Sequence, residues 1–493
     1  LIYNFFNVGR FKAFIRLDYR LNRGPGGGFE TYYLSEDHKE SLETINYIAR
    51  DNALELPKER TRYRFQGVYR NKVFDDTTSI FATWDKLSDE YMATDYNDQG
   101  LELDYPGRTE LLIRRQEEWW ITELRSKVRL NTFQTVKQEL PTIFITHKPS
   151  VLGRSGVIWE NTLEASYLDF TYENNLSNVS DYNSTRLDYL TRLYRPFSLF
   201  PVKITPEIGG TSIVYGNSPN NNSKTVAVGF LGFNVNSSFH HANNYFKHVV
   251  MPYFEWNYFS GPTVNPDEHY IFDIDDGLYR LESFKVGTKH DIIARCDTLK
   301  RLLEVDLYTF LFINRTPIPK LYLDLTTRSI PTLTHRFTIA YDYQQEMLDQ
   351  FNWRNDWTIN KNLALSLEYR HRSPYAYRKC VRDNYMLEAF RTTNQLLHSS
   401  VSDRRDTLLF HAYWRFHPLY ALEFTSRSGW NRRHEPNYSE YEVDLYTQLK
   451  SHWLVKVSYQ HTEEDDRVAI YFTLLSSQPN KDKGINLLSP VEF

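Results

Sequence analysis

The chain has 493 residues, 24% of them charged, with a formal net charge of −4, so it has no basic surplus with which to neutralise nucleic-acid phosphates. Tyr, Phe and Trp number 36, 31 and 10, an aromatic content foreign to a disordered polymer or a charged helical bundle. Mean hydropathy is −0.57, and no stretch approaches the ~18–20 apolar residues of a spanning helix, although a β-barrel needs none.

In chain order, the start Leu-Ile-Tyr-Asn-Phe has no Met, basic n-region or apolar h-region, as expected of a segment that begins inside a longer protein or after processing. From Arg10 to Leu21 the pattern alternates. Phe11, Ala13, Ile15, Leu17, Tyr19 and Leu21 share one face, and Lys12, Arg16, Asp18 and Arg20 share most of the other. A period of two marks a strand with unlike faces. Tyr63, Phe65 and Tyr69 alternate with Arg62, Arg64, Gln66 and Arg70; Thr122, Leu124, Val128 and Leu130 alternate with Glu123, Arg125, Lys127 and Arg129. Cleaner repeats follow at Phe337–Tyr343, Leu363–Arg370, Thr407–Phe416 and Trp453–Gln460. Turn-formers separate these runs, among them Asn22-Arg23-Gly24-Pro25-Gly26, Gly216-Asn217-Ser218-Pro219-Asn220 and Ser428-Gly429.

Two architectures take so many alternating strands: a soluble sandwich or propeller, and a membrane barrel. Full charges at mid-strand (Arg16, Asp18, Glu123, Arg125, Lys127) suit a hydrated lumen, and aromatic strand ends such as Trp119-Trp120, Tyr413-Trp414 and Trp453 suit interfacial girdles. No blade-length repeat of ~40–50 residues supports a propeller. Tight turns (Asn7-Val8-Gly9, Asp75-Asp76) alternate with long connections (Asp51–Glu59, Ser88–Tyr105), as in outer-membrane barrels. The expected fold is therefore all-β: one large transmembrane antiparallel barrel of roughly 22–26 strands over residues 1–493, in the bacterial outer membrane.

At Thr83–Tyr96, TWDKLSDEYMATDY, the chain resembles the lipopolysaccharide-assembly family LptD, also called OstA or Imp. Ser88-Asp89-Glu90-Tyr91 and Asp95-Tyr96 match its loop of the type SDPxYFxDF, with Glu90 in place of the usual Pro. Gln138-Glu139-Leu140-Pro141, the proline-bearing run 192–216, His248–Tyr258 (HVVMPYFEWNY) and Phe272-Asp273 with Asp276 resemble further family elements in the same order. The collinear matches span about residues 1–475.

The resemblance implies a periplasmic jellyroll followed by a barrel of about twenty-six strands. This chain would begin inside the second strand, leaving the jellyroll and first strand upstream. It implies non-enzymatic transport: lipopolysaccharide arrives over a periplasmic bridge protein like LptA, its sugars cross the lumen beside a lipoprotein plug like LptE, and its lipid leaves through a seam between first and last strands. Barrel-assembly machinery and outer-membrane lipid are the other implied partners. A lateral exit makes physical sense because acyl chains and a polar lumen are incompatible. The last strand is expected at Arg467–Leu475, with Val468, Ile470, Phe472 and Leu474 toward lipid as the gate face. The family's seam-weakening prolines do not carry over: one lies upstream and the other falls on Ile2. Its adjacent cysteines are replaced by Lys450-Ser451-His452, and Cys296 and Cys380 match no family cysteine.

Lys12, Arg16, Arg125 and Lys127 are the lumen-facing candidates for anionic sugar phosphates, and each is more simply a balance for lumenal carboxylates. Asp273-Ile274-Asp275-Asp276-Gly277 starts like a Ca²⁺ loop but lacks the twelfth-position Glu, so a solvated loop is expected. His240-His241 has no third ligand at useful spacing, and Glu463–Asp466 reads as a solvated turn. No carboxylate pair sits beside a nucleophile, and no cofactor motif is present, so an enzyme is not expected. Two alternatives to lipopolysaccharide transport stand: another large outer-membrane barrel, either a porin or a plugged receptor, and a soluble β-rich carbohydrate-active protein.

Overall fold

The computed structural model describes residues 2–474 apart from 9, 22, 53–60, 75, 97–107, 175–178, 296–298, 314–317, 374–404, 432–435, 450–452 and 464–465. The described chain forms 27 strand segments in one sheet. The first quarter holds β1 (Ile2–Val8), β2 (Phe11–Arg20), β3 (Gly24–Leu34), β4 (Glu40–Arg50), β5 (Thr61–Val73), β6 (Thr78–Leu87), β7 (Thr109–Gln116) and β8 (Trp120–Val128). Then come β9 (Val136–Val151), β10 (Ile158–Thr171), β11 (Tyr182–Tyr194), β12 (Phe197–Leu199), β13 (Val202–Tyr215), β14 (Lys224–Ser237), β15 (Phe239–Ala242) and β16 (Phe246–Phe259). They are followed by β17 (Leu281–Arg295), β18 (Leu299–Phe312), β19 (Lys320–Ile330), β20 (Leu333–Asp342), β21 (Met347–Asn360) and β22 (Leu363–Arg372). The last are β23 (Arg405–His417), β24 (Tyr420–Trp430), β25 (Tyr438–Leu449), β26 (Trp453–His461) and β27 (Asp466–Leu474). The one α-helical segment among the described residues is the turn α1, Met92–Asp95.

Every paired neighbour is antiparallel, and consecutive strands lie side by side. The short β12 continues β11 against β13, β15 continues β14 against β16, and β1 and β27 meet the same edge of β2, so the wall has three fewer staves than segments, within the expected range.

Burial gives the two faces their meaning. Ile15, Leu17, Tyr19 and Leu21 are exposed (Leu17 54%), whereas Arg16 and Arg20, on the other face of β2, are buried. The same inversion holds at Ile48 against Tyr47, Leu187 against Arg186 and Tyr341 against Asp342. A soluble protein buries its apolar face. Here the apolar face is outermost and the charges lie within, which overturns the soluble alternative and places the chain in a bilayer as a bacterial outer-membrane barrel.

Connections sort by side. The turns after β1, β5, β7, β19, β21 and β23 are tight, while the connections that leave β4, β6 and β16 at the opposite rim are longer in sequence. Exposed aromatics gather at the tight-turn rim: Phe74, Trp119, Trp120, Phe200, Tyr245, Trp414, Phe416 and Tyr420. Such a belt fits a lipid–water interface, where the ring is buried and its polar edge stays wet. By the asymmetry of loop lengths, the tight turns are periplasmic and the long connections extracellular.

The barrel closes where its first and last strands meet. β1 pairs with β2 from Ile2↔Arg16 to Val8↔Phe11, leaving the outer end of β2 with an open edge. β27 meets that edge at one position, Arg20↔Arg467. By contrast β26 and β27 stay in register from Trp453↔Leu474 to His461↔Asp466. Since β1 and β27 are both antiparallel to β2, they run in the same direction as each other and share no ladder position among the described residues.

Candidate functional site

The site is the seam together with the lumenal wall behind it. β3 lies next in the wall and is built from Gly24-Pro25-Gly26-Gly27-Gly28, which faces Arg16–Arg20 across the β2–β3 ladder. Gly26 is required by a close approach: a Cβ there would meet Tyr47 Oη at 2.0 Å. The Tyr47 ring therefore lies across bare backbone, and its hydroxyl donates to Asp18 Oδ1 at 2.8 Å.

The loop after β6 folds back into the lumen over this wall. Met92 and Tyr96 are buried against Ile45, Tyr47, Ala49 and Leu87. Polar contacts hold it there. Arg62 Nη1 and Arg23 Nη1 each donate to Asp51 Oδ2 at 3.0 Å, and both also reach Asp95 Oδ2. Arg62 donates further to Asp89 at 2.6 and 3.0 Å. Burial raises the Asp89 pKa, but hydrogen bonds from Arg62 and Ser88 outweigh it and leave the carboxyl below its ordinary value. Arg20 Nη1 donates to the Asp95 carbonyl at 3.0 Å, with its guanidinium carbon 4.4 Å from the Tyr96 ring centroid. Buried carboxylates and guanidinia tolerate this environment because each meets several partners.

A second loop does the same farther round the wall. Phe272 packs on Leu168, Ile213, Tyr215 and Val226, and Asp276 accepts from Tyr215 Oη at 2.5 Å with Arg186 Nε 3.0 Å away. The other Asp276 oxygen accepts from the amides of Phe272 and Asp273, fixing the 3-10 turn Ile274–Asp276. Lys137 Nζ reaches Asp273 at 2.5 Å; burial pushes that carboxyl up, but the Lys137 charge and hydrogen bond pull it below the ordinary range. The solvated Ca²⁺-like loop expected from sequence is thus corrected. Two of its carboxylates are committed to Lys137, Arg186 and Tyr215, and no cluster of three metal-ligating residues occurs among the described residues.

The candidates from sequence separate in space. Arg16 is buried on the lumenal wall and donates to Glu30 Oε1 at 2.7 Å. Arg125 donates to Glu123 Oε1 at 2.6 Å and lies over the Phe144 ring. Lys12 is exposed on the Arg16 face of β2, and Lys127 is half-buried on the Arg125 face of β8. Val468 and Ile470 are exposed on the outer face of β27, while Arg467 and Ala469 are buried on the other. Phe472 and Leu474 stand in register with Val455 and Trp453, but their side chains lie outside the described residues. Cys296 and Cys380 also lie outside them. His240 and His241 are exposed near the periplasmic rim, and Glu463 accepts from the Ser439 amide at 2.8 Å.

The sequence pattern did not single out Arg20, Arg23, Arg62, Asp51 or Arg186. Alternation assigned Arg20 and Arg62 to a face, but their loop partners lie far away in the chain. The usable signal was the pair of motifs at 88–96 and 272–276, both of which prove to be loops folded into the lumen.

No family model and no curated protein matches the chain. Among solved structures it is similar to the alcaligin outer-membrane receptor FauA of Bordetella pertussis, at 9% identity and TM-score 0.35, covering 95% of this chain and 76% of that one. It is also similar to the siderophore receptor PirA of Pseudomonas aeruginosa, at 7% identity and TM-score 0.32, covering 95% and 80%. Likeness at this level carries no argument about cargo; the strand pairing itself establishes a large outer-membrane barrel.

Proposed function

We propose that this barrel passes lipopolysaccharide to the outer leaflet, the sugars crossing the lumen and the acyl chains leaving sideways where β27 meets β1 and β2. The observation that supports the reading is the lumenal wall itself, which buries charge at Arg16, Arg20, Arg62 and Arg186 and is roofed by two inward-folded loops. A lumen walled with charge admits saccharide and excludes lipid tails; a seam admits the tails. The order of motifs shared with the LptD family supports the same cargo. On this reading the partners are a periplasmic bridge protein, a lipoprotein plug and the barrel-assembly machinery.

The test is depletion of the full-length protein in its source bacterium, with lipopolysaccharide quantified at the surface and inside. Surface loss with internal accumulation, other barrels remaining folded, is expected. Unchanged surface lipopolysaccharide overturns the reading. The second reading is a plugged receptor, prompted by the two receptors similar in outline. It predicts instead that depletion abolishes growth on a siderophore as sole iron source.

A further inference from the structure

Near the middle of β17, Gly287 lies between Lys285 and Lys289, all three on the lumenal face because Val286 is exposed on the other. Glycine is required there by a close approach: a Cβ would meet Tyr253 Cζ and Oη at 2.5 Å. The Tyr253 ring, opposite Gly287 in the β16–β17 ladder, therefore lies across bare backbone, and its hydroxyl donates to Asp306 Oδ1 at 2.8 Å. Tyr308 stands opposite Gly287 on the other side and stacks on Tyr322, with centroids 4.9 Å apart and planes 9° from parallel. Both ammonium groups converge on these rings. Lys285 Nζ is 4.6 Å from the Tyr308 centroid and 5.3 Å from that of Tyr253; Lys289 Nζ is 5.6 Å from that of Tyr253. Lys289 also lies 3.6 Å from Asp306, whereas Lys285 has no carboxylate within ion-pair distance among the described residues. Tyr47 lies over Gly26 in the same way, but the loop after β6 covers it and it is 1% exposed. Tyr253 and Tyr308 are half-buried, and the Lys289 side chain is 52% exposed, so this shelf meets the water of the lumen.

We propose that Tyr253, Tyr308, Lys285 and Lys289 form a binding shelf for an anionic saccharide midway along the lumen, a pyranose ring lying on the tyrosines and its phosphate or carboxylate meeting the lysines. A pyranose presents a flat patch of polarised C–H bonds that suits the negative face of an aromatic ring, the same quadrupole that attracts the ammonium groups. An ammonium held on exposed rings gains only about 0.5–1 kcal/mol from them, less than a charge-assisted hydrogen bond supplies, so Lys285 turns readily to an anionic substituent. Lysine serves here as a point charge on a flexible stem, able to follow a moving cargo where a forked guanidinium would fix it. Asp306 holds the platform in place, with one oxygen on the Tyr253 hydroxyl and the other facing Lys289. That a saccharide passes this level rests on the export reading above; the stacking and charge chemistry rest on the wall alone.

The experiment uses the full-length protein in nonionic detergent, with folding of each variant checked by heat-modifiable migration on a gel. Binding is measured for an N-acetylglucosamine disaccharide, its 1-phosphate, a uronic-acid disaccharide and inorganic phosphate, and saturation transfer from the protein's aromatic protons to pyranose ring protons reports stacking. At least one anionic disaccharide is expected to bind about tenfold tighter than the neutral one, and which of the two it is names the charged group. Lys285→Gln with Lys289→Gln removes that preference while saturation transfer persists. Tyr308→Leu, which leaves the Tyr253 cover of Gly287 in place, weakens every disaccharide and abolishes saturation transfer to the ring protons. Arg427→Gln, on β24, changes neither readout. Equal binding of neutral and anionic disaccharides by the parent protein overturns the site, as does binding without saturation transfer. Tight binding of inorganic phosphate alone overturns the saccharide assignment in favour of the free ion. Failure of the depletion test with the anionic preference intact removes the export reading and leaves the shelf standing.

Discussion

Replacing Arg62 by Ala tests the claim that ionic contacts, more than apolar packing, hold the 88–96 loop inside the lumen. The Arg62 side chain is 2% exposed and bridges Asp51, Asp89 and Asp95. Removing one partner of a buried ion pair costs about 3–5 kcal/mol, because the remaining charges are left uncompensated. Asp89 is about one-third exposed and Arg23 still serves Asp51 and Asp95, so the lower end applies, ~3 kcal/mol. That cost falls on the docked state of the loop, since the wall ladders from β3 to β6 do not involve the Arg62 side chain. At tenfold per ~1.4 kcal/mol, the undocked fraction rises on the order of 100-fold. The reporter is Met92→Cys in a Cys296→Ser, Cys380→Ser background, labelled from outside by a membrane-impermeant maleimide. Met92 is buried in the docked loop, so labelling follows the open population when reclosure is fast. Arg427→Ala removes an exposed pair with Glu440, worth about 0–1 kcal/mol, and leaves Met92→Cys labelling unchanged. Labelling of the Arg62→Ala protein within about threefold of the parent refutes the argument and assigns docking to Met92 and Tyr96.

Three further outcomes are expected. Tyr19→Cys with Val468→Cys, flanking the Arg20–Arg467 ladder pair on the outer face, is expected on the proposed export reading to form a disulfide that halts appearance of lipopolysaccharide at the surface, reversed on reduction; unchanged surface lipopolysaccharide with the bond formed removes a lateral exit from that reading. Val286→Arg, on the outer face of β17, costs about 2–4 kcal/mol of folding free energy in vesicles if it lies near the bilayer midplane, and no loss there contradicts the assignment of faces. Because the Asp273 carboxyl is held below its ordinary value, its stabilisation is complete above pH ~4 and is lost as pH falls through the depressed value. Maleimide labelling of Phe272→Cys after a pH pulse should therefore rise only under strong acid; a transition between pH 6 and 8 rules out this carboxylate as the tether.

The faces of β2, β5 and β8 were legible because lipid and lumen impose a two-residue period on each strand, and the pattern is local. Which face lies outward was less legible. Arg16 and Lys127 alternate with apolar residues as they would in a soluble sheet, and only the burial of Arg16 beside an exposed Leu17 reverses the sense. The seam and loop contacts were hidden for a different reason. Arg20 meets Arg467 across nearly the whole chain, and Arg62 meets Asp89 and Asp95 through a loop that must turn inward. Such partners leave no periodic trace; they leave distinctive short words only where several contacts converge. The stretches SDEYMATDY and FDIDD are such words, and each encodes its own inward turn: Asp89 and Asp276 accept backbone amides of their own loops while pairing with wall arginines. The carboxylate therefore folds the loop and docks it in one act. This explains why short motifs mark the places where extracellular segments enter the lumen, and why a wide barrel can roof its lumen with its own loops.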